Sequence, residues 1–214
     1  MTTAGAASAL QPEPEPGETC AKCGAALASA VYCFACEAIQ PEAARAGIFE
    51  IFGLRPAYRI DFAQLEELYG RLSLALHPDF FATAEPAVKS AAERLSAALN
   101  EGYRVLRSDV ERSAYLLKRL AGTVQLDTKR LPDGFLQEMF LLQEEIDELD
   151  EAQDGSRRRE LSAQLEARRR DVLAERERLF EEALTGAGAD RLQAIQNSMN
   201  QESYLIRLLD RLPA

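Results

Sequence analysis

The chain has 214 residues, 47% of them hydrophobic and 28% charged, which is ordinary for a folded protein of one or two domains. Its 25 Lys and Arg residues against 35 Asp and Glu residues give a formal net charge of −10, which disfavours overall attraction to nucleic acid or anionic lipid. Without an apolar run of about 18 residues or a basic, apolar leader, the sequence predicts a cytoplasmic protein with reduced thiols and no membrane or nucleic-acid partner.

Composition divides the chain into three regions. Residues 1–18 are small, polar and rich in proline and glutamate, which predicts a disordered, solvated tail. All four cysteines fall within the segment 19–42. From Ala43 onward apolar residues recur with a helical period, and a turn-rich linker at 122–134 separates two groups of helices, at 43–121 and 135–212. We therefore predict a mainly α protein.

The cysteines form two C-x2-C pairs separated by nine residues: Cys20, Cys23, Cys33 and Cys36. A two-residue gap lets two thiolates from one tight turn occupy adjacent corners of a tetrahedron, and two such turns complete a four-sulfur metal site. The alternatives are two disulfides, which a reducing compartment disfavours, and a thioredoxin-like redox pair, which the absence of a βαβ pattern disfavours. We predict a structural metal site, with zinc favoured over iron.

The one histidine of the chain lies between two apolar helical patterns, in the sequence His77-Pro78-Asp79. Asp61 is a candidate N-cap for the first helix, which Pro78 should end at or before His77. A second apolar face begins at Val88, so the two helices should form an antiparallel hairpin with His-Pro-Asp at its exposed tip. An isolated tripeptide of this kind is also compatible with an ordinary turn. No acid, base or nucleophile accompanies the histidine in a catalytic pattern, so we expect no enzymatic activity.

This arrangement resembles the J-domain, the module that activates the ATPase of DnaK-type chaperones. The resemblance covers the short helix and its exit at 48–54, the His-Pro-Asp tip, and the end of the second hairpin helix at 99–106. In that family the tip and the basic face of the preceding helix contact the chaperone. The resemblance therefore implies a chaperone-binding site at His77, Pro78, Asp79 and Arg71.

The helix before the tip departs from the usual J-domain pattern. It carries Glu66 and Glu67, Arg71 as its basic residue, and Leu74 where a basic residue is common in the family. We therefore expect weaker electrostatic steering toward an acidic chaperone surface than is usual for J-domains.

A further helix is predicted over 135–149 from an apolar seam with steps of four and three: Phe135, Met139, Leu142, Ile146 and Leu149. Two partner helices lie around 161–179 and 192–209, so the three should form a small bundle. The arginine runs at 157–159 and 168–170, which are interleaved with glutamate, are interpreted as solvated faces.

The order of these segments resembles that of HscB-type co-chaperones, the J-proteins dedicated to iron–sulfur cluster biogenesis. Ordinary J-proteins follow the J-domain with a Gly/Phe-rich linker and β-rich client-binding domains, whereas this chain continues through 112–117 into the helix at 135–149. One branch of the HscB-type family also carries a tetracysteine N-terminal extension. The resemblance covers about 20–212, nearly everything except the tail.

Beside the apolar seam, Leu136, Phe140 and Leu141 form a neighbouring apolar face. The pattern alone leaves open whether this face is a broad core stripe or an exposed binding face. HscB-type proteins bind an IscU-type scaffold with the corresponding face and with an aromatic residue of the last helix. The resemblance implies these scaffold-binding residues: Leu136, Gln137, Phe140, Leu141, Gln143, Glu144 and Tyr204. Gln143 and Leu141 stand where an arginine and an acid can occur in relatives, so this face is more apolar than theirs.

The resemblance implies a non-enzymatic co-chaperone with two partners, an IscU-type iron–sulfur scaffold and a DnaK/HscA-type chaperone whose ATPase it stimulates. We expect a monomer or weak dimer with structural zinc. Two other functions remain open: a J-protein that serves an unrelated client, and an iron-binding redox protein whose helices are a docking platform. Scaffold binding discriminates the first alternative, and metal analysis discriminates the second.

Overall fold

The computed structural model of the protein describes residues 19–41, 43, 46–149 and 154–212. These ranges contain seven α-helices and one two-stranded sheet, which confirms the mainly α prediction. The predicted disordered tail at 1–18 lies outside the described residues. Within those ranges, no helix combines the length and the apolar character needed to cross a lipid bilayer.

The chain separates into two compact units. The first runs up to Pro56 and resumes at Ile60–Ser108, and the second comprises Ala57–Arg59 and the chain from Asp109 onward. These two units are defined by packing and not by function. The predicted boundaries at 19–42, 43–121, 122–134 and 135–212 therefore stay predictions.

The cysteine segment of the first unit is built on a small hairpin that packs against helix α1 (Ile48–Ile51). Its strands, β1 (Tyr32–Cys33) and β2 (Ala38–Ile39), pair in antiparallel register. Ser29 Oγ donates a hydrogen bond to the Ile51 carbonyl at 2.6 Å, and the Ala30 N–H donates to the Glu50 carbonyl at 3.1 Å. These bonds fix the start of the hairpin on α1.

The predicted helical hairpin follows α1. Helix α2 spans Phe62–Ala75, and Asp61 is its N-cap, as predicted. Asp61 Oδ1 accepts hydrogen bonds from the N–H groups of Ala63 and Gln64 at 2.9 and 3.1 Å. The helix ends before Pro78, which begins a 3-10 helix at Pro78–Phe81. Helix α3 then spans Pro86–Arg107.

Polar contacts fix the antiparallel register of α2 and α3. Tyr69 Oη donates to Asn100 Oδ1 at 2.9 Å, and one turn away Tyr103 Oη donates to Glu66 Oε2 at 2.5 Å. The two predicted apolar faces contribute a set of fully buried leucines: Leu65, Leu72, Leu76, Leu95, Leu99 and Leu106.

The described part of the second unit contains four helices: α4 (Asp109–Ala121), α5 (Phe135–Glu148), α6 (Gly155–Thr185) and α7 (Ala189–Leu209). The last three form the predicted bundle. Its core contains the whole predicted seam of α5 together with residues from α6, α7 and the chain that follows α7: Phe135, Met139, Leu142, Ile146, Leu149, Leu161, Leu165, Leu205, Leu208 and Leu212.

The segment 122–134 lies along α7 within this unit. The Asp127 N–H donates to Gln193 Oε1 at 2.8 Å, and Gln193 Nε2 donates back to the Asp127 carbonyl at 2.9 Å. Further on, Asn200 Nδ2 donates to the Arg130 carbonyl at 2.9 Å. Side-chain amides of α7 therefore satisfy backbone groups that a turn-rich segment leaves unpaired.

The interpretation of the arginine runs as solvated faces is correct for Arg170, which is exposed, and wrong for Arg169. Arg169 is half-buried, and its Nη2 lies 3.0 Å from Oε1 of Glu202, a glutamate that α7 buries against α6. A buried carboxylate needs cationic partners, and Arg169 supplies one of them.

Candidate functional site

The four predicted metal ligands form one cluster of thiols. The Sγ atoms of Cys20, Cys23, Cys33 and Cys36 all lie within 4.8 Å of one another. The Cys20 and Cys36 Sγ atoms are 3.6 Å apart, and those of Cys23 and Cys33 are 3.7 Å apart. Tetrahedral coordination with Zn–S bonds of about 2.3 Å requires Sγ–Sγ separations of about 3.8 Å. The donor set and its spacing therefore fit a tetrahedral metal ion.

Two turns present these thiols, the first knuckle at 20–24 and the second knuckle at 33–37. The residue after each C-x2-C pair has a positive φ, +73° at Gly24 and 55° at Glu37. In the first knuckle the Gly24 N–H donates to the Cys20 carbonyl at 2.8 Å. The left-handed residue turns the chain back beneath its two thiols. Glycine marks this position in the first knuckle, whereas the second places a glutamate there at a conformational cost.

The surroundings of the cluster shift the pKa values of Cys20 and Cys36 in opposite directions. The Lys22 N–H and Gln40 Nε2 each lie 3.4 Å from Cys20 Sγ as donors. Burial would raise the pKa of Cys20, but the N–H groups of its own knuckle and the neighbouring thiols lower that pKa to about 6. Burial and the three other thiols raise the pKa of Cys36 to about 12. A metal ion must therefore displace a firmly held proton to recruit the fourth ligand.

The His-Pro-Asp tip is exposed and internally ordered. His77 Nδ1 accepts a hydrogen bond from the Asp79 N–H at 3.3 Å, so a neutral His77 carries its proton on Nε2. The Asp79 side chain is 89% exposed, and Phe80, whose ring centroid lies 6.2 Å from that of His77, is 66% exposed. The tip therefore presents an N–H donor, a carboxylate and an aromatic ring to solvent.

Arg71 lies on α2, in the helix that leads to the tip, and is exposed. Its guanidinium carbon lies 4.5 Å from the centroid of the Phe34 ring, which belongs to the second knuckle. This is the distance of a cation–π contact. The predicted basic residue of the chaperone-binding site is thus in contact with the cysteine segment.

An open cavity of about 630 Å³ lies between α5 and α7 in the second unit. Its lining is mostly apolar: Leu136, Gln137, Met139, Phe140, Leu141, Gln143, Tyr204, Arg207 and Leu208. Leu136, Phe140 and Leu141 are 51%, 61% and 64% exposed, so the neighbouring apolar face of α5 is not a core stripe. A contiguous exposed apolar surface of this kind is typical of a protein-binding site.

Among the described residues that line this cavity, Arg207 alone is charged. Its guanidinium carbon lies 4.3 Å from the centroid of the Tyr204 ring, and its Nε donates to the Ser203 carbonyl at 3.0 Å. Tyr204 in turn packs edge-on against Phe135, with ring centroids 6.0 Å apart. The ring and the helix backbone hold the arginine at the rim of the cavity.

No family model matches the chain. It is 30% identical over 166 residues to a co-chaperone protein HscB homolog of Shewanella halifaxensis, an alignment that covers 77% of this chain and 93% of the relative. The chain belongs to the HscB co-chaperone family. An HscB homolog of Vibrio vulnificus is 29% identical over 150 residues, which cover 69% of this chain and 88% of that protein. The crystal structure of human co-chaperone protein HscB has the same fold, with a TM-score of 0.68 at 21% identity over 91% of this chain and 96% of the human one.

In this HscB family member, six of the seven predicted scaffold-binding residues line one cavity. The seventh, Glu144, is exposed on α5 and lies outside the lining. Three further lining residues were absent from the sequence prediction. Met139 carried only a core assignment there, Leu208 is a buried residue of α7, and Arg207 follows Tyr204 by three positions, on the same helix face. That spacing was the available signal for Arg207.

Proposed function

We propose that this HscB family member is a co-chaperone of iron–sulfur cluster assembly. It binds an IscU-type scaffold through the α5–α7 cavity and delivers it to a DnaK/HscA-type chaperone. The His77-Pro78-Asp79 tip and Arg71 bind that chaperone and promote its ATP hydrolysis. In this proposal the protein itself hydrolyses nothing and acts in the cytoplasm as a monomer or weak dimer.

The observation that carries the proposal is the exposed apolar face at the α5–α7 cavity. Leu136, Phe140 and Leu141 expose more than half of their surfaces to water, although removing apolar surface from water is favourable in free energy. Fully burying one such side chain contributes about 1.5–3 kcal/mol. A folded client whose own apolar surface fits the cavity would bury all three, which supports scaffold capture at this site.

The tip supports the chaperone role through geometry and charge. Pro78 restricts the backbone between His77 and Asp79, and the hydrogen bond from the Asp79 N–H to His77 Nδ1 orients the imidazole before binding. A carboxylate that is 89% exposed is a strong acceptor for a partner arginine, which would bind it in a charge-assisted hydrogen bond. His77 Nε2–H adds a hydrogen-bond donor at the same tip.

We propose zinc as the metal of the cysteine cluster. Cys20, Cys23, Cys33 and Cys36 would hold it with four thiolates, which leaves no open coordination position for a substrate. Bound zinc cross-links the two knuckles and neutralises thiolate charge, and the segment has too small a core to maintain that arrangement by itself. The role of the metal is therefore structural.

Binding assays with an IscU-type scaffold test the client assignment. Phe140→Ala removes an exposed ring from the cavity and should weaken scaffold binding by about 2 kcal/mol or more, the range of an interface hot spot. Val124→Ala is the matched control, because Val124 is also exposed and apolar but does not line the cavity. His77→Gln should bind scaffold normally. Equal scaffold affinity for Phe140→Ala and the wild type would contradict the assignment and leave a J-protein with another client.

A further inference from the structure

We propose that the second knuckle positions Arg71 for the chaperone, so that metal binding at the cysteines sets the affinity of the hairpin tip region for its partner. The inference rests on the proposed function, because it takes Arg71 as a chaperone-binding residue. It gives the cysteine segment a role in that function through one contact, Arg71 on Phe34.

Phe34 lies between two of the predicted metal ligands. It follows Cys33 and lies two residues before Cys36, so a metal ion bound by both thiolates fixes the backbone on either side of its ring. Tyr32 packs edge-on against the ring, with centroids 5.1 Å apart and planes at 70°. The guanidinium carbon of Arg71 lies 4.5 Å from the centroid of the same ring.

The backbone that carries Arg71 is already fixed by the hairpin core. Leu72, the next residue, and Leu76, at the end of α2, are fully buried. The side chain of Arg71, by contrast, is long and exposed, and in water it would sample many rotamers. What the Phe34 ring changes is therefore the direction of the guanidinium group, which a chaperone carboxylate must meet in one orientation.

Loss of the metal should release the contact between Arg71 and Phe34 without unfolding the helical hairpin of α2 and α3. The hydrogen bonds that tie the cysteine segment to α1 come from Ser29 and Ala30, before the second knuckle. Val31 is also fully buried there. Strands β1 and β2 pair on either side of the second knuckle, and a metal ion would hold the thiols of the turn between them, so metal removal should loosen that turn and free Phe34.

The size of the effect follows from the contact. A cation–π interaction at an exposed site corresponds to about a two- to five-fold change in an equilibrium constant. In this proposal the contact of Arg71 with Phe34 is made in the metal-loaded protein and lost without metal. Metal-loaded protein therefore binds the chaperone more tightly, and Arg71 raises the affinity of the cysteines for the metal through the same contact. The second effect is measurable without any chaperone.

The experiment is a double-mutant cycle on the full chain with Phe34→Leu, Arg71→Met and the double variant, each checked for helical content by circular dichroism. Phe34→Tyr is the matched control, because it keeps the aromatic face. Affinity for the ATP-bound chaperone is measured with zinc-loaded and with chelator-stripped protein. Zinc release to a chromogenic chelator is measured on the same variants alone.

We expect Phe34→Leu and zinc removal each to weaken chaperone binding about two- to five-fold, with no further effect in the Arg71→Met background. Arg71→Met should release zinc about two- to five-fold more readily than the wild type, and Phe34→Tyr should match the wild type in both assays. Unchanged affinity and zinc release in Phe34→Leu and Arg71→Met would overturn the inference, as would losses that add in the double variant. A wild type that binds no chaperone overturns the proposed function instead, and takes with it the role of Arg71.

Discussion

Arg176 and Glu202 form a buried ion pair between α6 and α7, with Arg176 Nη1 2.6 Å from Glu202 Oε2 and side-chain exposures of 0% and 3%. The rest of the guanidinium group is also satisfied, since Nε donates to Ser198 Oγ at 3.0 Å and Nη2 to the Ser198 carbonyl at 2.8 Å. The second oxygen of Glu202 accepts from Arg169 at the edge of the same cluster. The pair therefore links two helices of the bundle that carries the α5–α7 cavity.

Removal of one partner should destabilise the bundle far more than removal of both. Glu202→Leu leaves Arg176 buried without its counter-ion, and we expect a loss of about 3–5 kcal/mol in the free energy of unfolding. The double variant Arg176→Met/Glu202→Leu should recover most of that loss, because it leaves no buried charge. Arg169→Ala, which removes the half-exposed partner, should cost about 1 kcal/mol or less. Urea unfolding followed by circular dichroism measures all three, and similar values for Glu202→Leu and Arg169→Ala would refute the role of the buried pair.

Replacement of two glycines of the first unit by alanine should change the stability of the protein in opposite directions. Gly53 has a φ of +63°, and a Cβ there would lie 2.0 Å from the Ala28 carbonyl oxygen, so Gly53→Ala must push the cysteine segment away from α1. Gly70 lies within α2 with no atom within 4 Å of its Cβ position, so Gly70→Ala should raise the free energy of unfolding by about 0.5–1 kcal/mol. Thermal unfolding and limited proteolysis of the cysteine segment compare the two. A Gly53→Ala protein as stable and as resistant as Gly70→Ala would contradict the close approach.

Metal binding should release protons near neutral pH, chiefly from the less acidic thiols. The pKa of Cys36 is raised to about 12, so this thiol stays protonated without metal, whereas Cys20, with a pKa of about 6, is already largely ionised. Lowering the pH should therefore weaken metal binding, since protons compete for every thiolate. Calorimetry in buffers of different ionisation enthalpy gives the number of protons released. We expect fewer released protons and weaker binding for Cys36→Ser, and wild-type behaviour for Lys22→Ala, which lies between ligands without being one. Equal proton release by Cys36→Ser and the wild type would contradict this account.

Arg207 should contribute to scaffold binding through charge and orientation together. Its guanidinium carbon lies 4.3 Å from the centroid of the Tyr204 ring at the rim of the cavity, where the group can donate to a carboxylate or carbonyl of the client. We expect Arg207→Ala to weaken scaffold binding by about 1–2 kcal/mol and to reduce its salt dependence. Arg207→Lys should restore only part of the affinity, because lysine keeps the charge but not the flat, forked donor. The control is Arg170→Ala, an exposed arginine of the same unit outside this cavity. Equal losses in Arg207→Ala and Arg170→Ala would assign the effect to overall charge.

Much of the fold was predictable because its signals are local in the sequence. The helical period of α2, α3 and α5 and the N-cap at Asp61 appear where they were expected, and the C-x2-C spacing predicted the thiol cluster. Periodicity alone did not decide whether Phe140 faces a core or solvent, because the sequence of one helix does not show how much of its surface the partner helices cover. The structure resolves this point, since α6 and α7 cover only the seam of α5 and leave Phe140 exposed.

The features that the sequence did not predict depend on contacts between distant segments. Arg176 lies in a charged region, a composition typical of a solvated surface, and only the packing of α6 on α7 buries it together with Glu202. The same holds for Arg71 and Phe34, which are 37 positions apart and approach each other only because the second knuckle lies against α2. Charge–charge and charge–aromatic pairs at such separations leave no periodic signal.

The most direct test of the proposed function is the steady-state ATPase rate of a DnaK/HscA-type chaperone with this protein, with an IscU-type scaffold, and with both. We predict stimulation by the protein, a greater than additive rate when the scaffold is present, and neither effect with His77→Gln. Stimulation without a scaffold effect would retain the chaperone partner and contradict the client. No stimulation in any combination would mean that His77-Pro78-Asp79 is an ordinary turn, and the central claim would fail.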